Sequence, residues 1–338
     1  MANPTVSALE AKVAGIEGAM GACCFSTGMA ATVTVMSAFL KAGDHCVITD
    51  RSYGGTVRAA RVMFSDLGVT FGFVDFRDPE IVKAAIRPNT KLIFSETPAN
   101  PTLSLTDLKA VSKVAKAAGI LHVCDATFAT PIMMRPIQLG ADMSLQSLTK
   151  FYDGHHVTIG GAVASATKEI DDRLHFYCNI LGNLISPQSA FYILQHSKTM
   201  SLRFRQQCKT AQAVAEMLEK HHKVDIVRYP GLASFPQKKL ADAQHSNGVH
   251  GSMLWFEVKG GTQAGHRLMN SVQRPWSLCA NLGATESILT CPAVMTHANV
   301  PKEERLMFGI TDGFVRVSCG IEDTDDLVVA LKKGLDDL

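Results

Sequence analysis

The sequence predicts an α/β protein, with a mostly parallel sheet in its first two thirds and a smaller C-terminal α+β domain. Short β-rich runs recur at residues 45–50, 69–75, 91–97, 121–127, 143–148 and 160–165. Helical patterns separate several of them, and such alternation implies a largely parallel sheet covered on both faces. Past residue 200 the alternation stops, which marks a second domain.

Taken in order, Met1-Ala-Asn-Pro-Thr5 leads straight into a polar helix and carries no signal-peptide pattern. Cys24-Phe-Ser-Thr-Gly-Met-Ala30 opens a helix of small residues over 30–38. In 107–118, Leu108, Val111, Val114 and Ala115 fall on one helical face between two strand candidates. Residues 202–220 read as a long helix, and Tyr229-Pro-Gly231 as a turn. Strands are expected at 252–258 and 313–318, and a closing helix from Asp325. The boundary falls near Arg205, giving a large domain over 1–205 and a small one over 206–338.

With 338 residues the chain can bury a sizeable core. Its charged fraction of 19% is below the usual ~25%, which favours a subunit that covers area with copies of itself. A net charge of +2 without a basic run gives no case for nucleic acid. No apolar stretch reaches the ~20 residues of a membrane span. The nine cysteines form no C-x-x-C pair; Cys46, Cys124, Cys279 and Cys319 lie in apolar runs, and the vicinal Cys23-Cys24 cannot readily bridge. A reducing cytoplasmic compartment is expected, and no metal site, because no His/Cys spacing matches ligand geometry.

In an open parallel sheet, ligands sit beyond the carboxyl ends of the strands. Polar residues crowd those ends here: Glu96-Thr-Pro-Ala-Asn100, Asp125-Ala-Thr127 and Ser147-Leu-Thr-Lys150. A lone strand-end lysine is usually a solvated charge and a lone aspartate usually a helix cap. Three polar strand ends, one carrying lysine, point to a site. Lys150 suits a Schiff base with an aldehyde cofactor, and Asp125 suits a protonated pyridine nitrogen, so the pair reads as a pyridoxal 5'-phosphate (PLP) site. The phosphate needs a cradle. The N–H groups of Gly28 and Met29 at the start of a helix, with the hydroxyls of Ser147 and Thr149, can provide one.

These residues also carry a resemblance. Asn3-Pro-Thr, Phe25-Ser-Thr-Gly-Met-Ala, Tyr53-Gly-Gly-Thr, Glu96-Thr-Pro-Ala-Asn-Pro, Asp125-Ala-Thr-Phe-Ala-Thr-Pro, Ser147-Leu-Thr-Lys, Tyr229-Pro-Gly-Leu, Pro292-Ala-Val-Met-Thr-His297 and Arg316-Val-Ser-Cys-Gly-Ile-Glu322 occur in that order. The chain resembles the Cys/Met-metabolism PLP enzymes, which include cystathionine γ-lyase, methionine γ-lyase, cystathionine γ-synthase and the homoserine-ester sulfhydrylases. The resemblance implies the PLP-dependent transferase fold of type I and a homotetramer built as a dimer of dimers. It implies Lys150, Tyr53 and Asp125 as catalytic residues. The cofactor contacts would be Gly28, Met29, Tyr53, Asn100, Asp125, Thr127, Ser147, Thr149 and Lys150. Arg316 would clamp the substrate α-carboxylate, with Ala280 and Asn281 beside the substrate. The implied reaction is γ-elimination on a sulfur amino acid, cystathionine or methionine, giving α-ketobutyrate, ammonia and a thiol. The alternative is γ-replacement on an O-acyl-homoserine.

Departures from the family pattern bear on that choice. Ala280 stands where cystathionine-handling members carry glutamate, and is apolar as in methionine γ-lyases. Gly55 matches cystathionine γ-lyases, and Asn281 resembles the sulfhydrylases. Ala126 and Gln146 replace a usual asparagine and histidine, and His155-His156-Val157 an ordinary Gly-His-Ser-Asp stretch; a loop role is expected for the two histidines. His297 is family-typical and is assigned no role. The family carries before Asn-Pro-Thr an arm with Tyr-Ser-Arg that reaches the phosphate of the adjacent subunit, whereas this sequence starts at Met1-Ala-Asn3. For a chain of these residues the expectation is weaker PLP retention, by the ~1.5–3 kcal/mol of one charge-assisted hydrogen bond.

Overall fold

A computed structural model describes residues 3–246, 248–293, 295, 302–307 and 309–338; His297 lies outside the described residues. The chain divides into two compact units. The first runs up to Asn100 and resumes over Ser104–Lys198, and the second comprises Pro101–Leu103 and Thr199–Leu338. Arg205, where the sequence places the boundary, lies inside the helix Met200–Glu219.

The first unit is built on seven strands: β1 (Gly21–Phe25), β2 (His45–Thr49), β3 (Thr70–Val74), β4 (Thr90–Glu96), β5 (Leu121–Asp125), β6 (Met143–Gln146) and β7 (Gly161–Ser165). They lie in the order β1-β7-β6-β5-β4-β2-β3. The pairs from β3 through β6 are parallel, and β7 is antiparallel to both β6 and β1. Successive residues face opposite sides of the sheet. Ile48, Phe94 and Val123 therefore join one core with Phe25 and Val35, while Val47 and Ile93 join another with Val111 and Ala115. The expected helix over 107–118 is present as Leu108–Ala117, capped by Asp107, whose carboxylate accepts the Ala110 N–H at 3.0 Å.

Sequence reading missed β1. Gly-Ala-Cys-Cys-Phe carries no alternating pattern, and its strand character comes from a full register with β7, distant in the chain. The helices Lys168–Leu181 and Pro187–His196 were also not anticipated. The first helix, Pro4–Glu17, is set by local chemistry. Asn3 Oδ1 accepts the N–H groups of Thr5 at 3.0 Å and Val6 at 3.3 Å, proline opens the helix, and Gly18 closes it at φ 68.

That helix ends in a fully buried carboxyl. Glu17 Oε1 accepts a 2.9 Å hydrogen bond from Gln146 Nε2 at the end of β6. Burial, opposed by the Ser144 and Gln146 side chains and by the Arg135 charge, pushes Glu17 up to about 7. A carboxyl whose folded pKa lies above its unfolded value near 4.5 adds stability below that value and loses it as pH rises to about 7. Glu17→Gln is therefore expected to be more stable than the parent at pH 8, by on the order of 3 kcal/mol, with the difference shrinking toward pH 5. Urea midpoints at the two pH values check this, and equal gains at both would refute a titrating Glu17.

The second unit carries a five-stranded sheet ordered β10-β11-β12-β9-β8. Its strands are β8 (Val224–Arg228), β9 (Met253–Val258), β10 (Ser277–Leu278), β11 (Ile288–Thr290) and β12 (Phe314–Ser318). The expected strands β9 and β12 pair antiparallel, and the short β8, β10 and β11 flank them. Its core gathers Leu218 from Met200–Glu219, Leu268 from Gly261–Ser271 and Leu331 from Thr324–Asp336 around Phe256 and Val317. Buried polar ends find partners: Trp276 Nε1 donates to Leu327 O at 2.9 Å and the Tyr229 hydroxyl to Gly251 O at 2.9 Å. Among the described residues no helix is long and apolar enough to cross a membrane.

Candidate active site

The parallel strands β4, β5 and β6 end at Glu96, Asp125 and Gln146, slightly earlier than the sequence predicts, so the polar residues that follow lie in turns at one edge of the sheet. Glu96 and Asp125 are direct neighbours across β4 and β5. From Asp125 a chain of short hydrogen bonds runs to the next strand end. Asp125 Oδ1 accepts the Thr127 N–H at 3.0 Å, and Thr127 Oγ1 accepts the Ser147 N–H at 2.9 Å. Thr127, predicted only as a cofactor contact, thus also locks the turn after β5 to the turn after β6.

The turn bearing Lys150 is held mainly by its own backbone and by Thr149. The Lys150 N–H donates to Ser147 O at 3.2 Å, and Lys150 O accepts the Gly154 N–H at 2.7 Å. Thr149 Oγ1 both donates to Gly160 O, at 3.2 Å, and accepts from Gly160 N, at 3.1 Å. Against this turn packs the start of the helix Gly28–Phe39, whose cap Thr27 accepts the Ala30 N–H at 2.9 Å. Glycine is required at one place and favoured at another. A Cβ on Gly161 would stand 2.2 Å from Thr27 O, and one on Gly28 would stand a tight 3.0 Å from Ser147 Cβ. The helix start carrying Gly28 and Met29 is therefore held directly against Ser147.

Tyr53 reaches the same group of residues from after β2. A Cβ on Gly55 would meet Tyr53 Cε1 at 2.5 Å and Met29 Sδ at 2.8 Å, so the glycine leaves room for the Tyr53 ring beside Met29. Tyr53 is 48% exposed, open enough to meet a ligand. Its backbone is fixed from below by Glu96, which accepts the Tyr53 N–H at 2.6 Å and the Asn100 N–H at 2.8 Å. Sequence reading counted Glu96 among the polar strand ends without a task. The available signal was a glutamate closing an apolar β run, a costly burial unless its oxygens are used.

The electrostatics follow from that burial. Glu96 is 5% exposed and Asp125 8%. Burial, offset by the Thr127 hydroxyl and N–H, raises Asp125 above the ordinary carboxylate range. Burial first, then the neighbouring Asp125 charge, drives Glu96 well above it despite the Asn100 and Tyr53 N–H groups. For either carboxyl to carry its charge at this buried pair, a cationic partner would have to offset the cost of burial.

The structure thus brings together Gly28, Met29, Tyr53, Asn100, Asp125, Thr127, Ser147, Thr149 and Lys150 in the first unit. Arg316 belongs to the second unit, on β12. Arg316 is 5% exposed, and burial pushes its guanidinium down to about 10. Arg316 Nη2 donates to Asn281 O at 3.2 Å and to Ala280 O at 3.4 Å, so both residues touch the arginine through their backbones. His155 has the loop role expected of it. Its ring lies tilted against that of His196, with 4.4 Å between centroids, and His196 Nδ1 lies 2.8 Å from Oδ1 of the buried Asp153.

The chain is similar along its whole length to proteins of one family. It is 41% identical over 337 residues to a cystathionine gamma-lyase of Bacillus subtilis, spanning 100% of this chain and 88% of that protein. It is 43% identical over 340 residues to an L-methionine gamma-lyase of Porphyromonas gingivalis, spanning 100% and 84%. A cystathionine beta-lyase of Bacillus subtilis matches at 42% over 325 residues, spanning 96% and 82%. The model of the Cys/Met metabolism PLP-dependent enzymes matches residues 1–336, and the chain belongs to that family.

Proposed function

We propose that this protein is a PLP-dependent carbon–sulfur lyase that performs γ-elimination on cystathionine or methionine. The observation that carries the reading is the convergence of Lys150, Asp125 and Tyr53 around the turn where Gly28 meets Ser147. The residues fit the cofactor. The helix start at Gly28 and Met29 has N–H groups outside the helical ladder and close backbone approaches at Gly28 and Gly161, which suits a phosphate. The buried carboxyl of Asp125, whose charge is costly while unpaired, suits a protonated ring nitrogen as its partner.

When bound, PLP supplies the electron sink that makes a substrate Cα proton removable. The protein supplies the rest. Asp125 holds the proton on the ring nitrogen, and Glu96 keeps Tyr53 and Asn100 in place beneath their side chains. The Lys150 amine takes the Cα proton and next moves a Cβ proton. The Tyr53 hydroxyl delivers a proton to the departing sulfur. Arg316 holds the substrate α-carboxylate through its planar fork. The homotetramer implied by the resemblance suits the low charged fraction and exposed apolar side chains such as Phe191, 48% exposed.

The relatives named for β-elimination make that the second reading. Incubation of the holoenzyme with cystathionine and with methionine distinguishes the two by product. The expected result is α-ketobutyrate with ammonia. Pyruvate as the sole keto acid would overturn the γ reading in favour of β-elimination. Turnover of an O-acyl-homoserine only with an added thiol would replace it with γ-replacement.

A further inference from the structure

Away from the strand-end site, three elements bring four metal-ligating side chains together. Glu10 comes from the helix Pro4–Glu17, Cys23 from β1, and His175 and Cys178 from the helix Lys168–Leu181. The ligand atoms of Glu10, Cys23 and His175 all lie within 4.8 Å of one another. Glu10 Oε1 is 3.3 Å from His175 Nε2. Cys178 follows His175 by about one helical turn and is buried in the same core as Cys23. We propose that Glu10, Cys23, His175 and Cys178 form a structural binding site for a thiophilic divalent cation, zinc.

The chemistry of the donors supports zinc. Two sulfurs, one imidazole nitrogen and one carboxylate oxygen make a four-ligand set that zinc takes and hard cations do not. Bonds of about 2.0–2.3 Å place tetrahedral ligand atoms roughly 3.3–3.8 Å apart; Glu10 and His175 already stand at 3.3 Å and Cys23 lies within 4.8 Å of both, while Cys178 would move in as the fourth ligand. Both sulfurs are shielded from solvent, Cys23 being 1% and Cys178 2% exposed, whereas the His175 side chain is 42% exposed and leaves a way in.

The surroundings orient the ligands as metal sites require. His175 Nδ1 lies 3.0 Å from the Asp171 carbonyl oxygen and 3.5 Å from its carboxylate, which fixes the ring and leaves Nε2 turned toward Glu10. Asp171 is itself seated against Gly21, where a Cβ would stand 2.5 Å from the carboxyl carbon. Its buried Oδ1 has no hydrogen-bond partner among the described residues. Glu10 Oε1 is pinned by the Cys24 N–H at 3.1 Å. On zinc binding the thiol protons, and any proton on His175 Nε2, would leave to solvent. The clamp would fasten both helices to β1, the strand that leads into the Thr27–Gly28 turn.

The test uses the PLP-loaded enzyme, purified under reducing conditions, stripped with a chelator and then titrated with Zn²⁺ or Co²⁺ alone. Expected are one zinc retained per chain after desalting, a thiolate-to-cobalt absorption band in the near ultraviolet, and a higher melting temperature with zinc. His175→Ala and Cys178→Ser are expected to lose retention, and Asp171→Asn to weaken it by roughly 10–100-fold. The parent's cobalt spectrum needs no variant and so stands even if a variant folds poorly. A parent that retains no zinc and shows no thiolate band would overturn the proposal and leave an ordinary Glu10–His175 ion pair beside two thiols. Undiminished retention in both ligand variants would overturn it equally.

Discussion

Lys150→Ala is expected to lose turnover by at least roughly 10²–10⁴-fold, the ordinary contribution of a positioned proton-transfer group, while the fold survives. The two halves of that expectation rest on different atoms. Turnover is assigned to the Nζ amine. The turn itself is held by the Lys150 N–H to Ser147 O, by Gly154 N–H to Lys150 O, and by the two hydrogen bonds between Thr149 Oγ1 and Gly160. Alanine keeps all of these. Borohydride treatment followed by peptide mass mapping should fix PLP to the parent chain at Lys150 and leave the variant unmodified. A variant with turnover within tenfold of the parent, or parent chain modified elsewhere, would remove Lys150 from its assigned role.

Asp125→Asn should separate function from stability further. Loss of the charge opposite the ring nitrogen is expected to cut kcat by about 10²–10³-fold, the scale of one preorganised electrostatic contact in a buried site. Stability of the cofactor-free protein should hold or rise. Asp125 sits beside Glu96 on adjacent buried strand ends, and each carboxyl raises the cost of charging the other. An amide removes that repulsion, and its oxygen still accepts the Thr127 N–H. The check is a pair of measurements: kcat with saturating PLP, and the urea midpoint without it. A variant that loses stability and activity together would make Asp125 a structural residue.

The strand-end constellation was legible in the sequence because it follows from two local facts. Alternating β and helical runs force a parallel sheet, and a parallel sheet gathers its carboxyl ends at one edge. Asp125, Thr127, Ser147, Thr149 and Lys150 could be placed there from their order alone. Gly28 could be placed at a helix start because Ser-Thr-Gly precedes a run of small residues. The early ends of β4, β5 and β6 altered the details without moving these residues from the edge.

What stayed hidden depended on pairings between distant segments. β1 has no alternating pattern and becomes a strand only by registering with β7. Glu96 looks like one more polar strand end until the fold brings the Tyr53 N–H back onto it. Glu17 reads as the end of a polar helix, and only packing buries it against Gln146 and pushes it up to about 7. The absence of a local His/Cys motif excluded a metal site by spacing alone, yet Glu10, Cys23, His175 and Cys178 converge from three elements. By itself, then, the sequence determined the α/β class, the sheet edge where the proposed site residues gather and the family, because these follow from local periodicity and contiguous motifs. Tertiary structure alone decided which buried carboxyls anchor that edge and which thiols meet, because desolvation and side-chain proximity arise only when chain segments far apart are packed together.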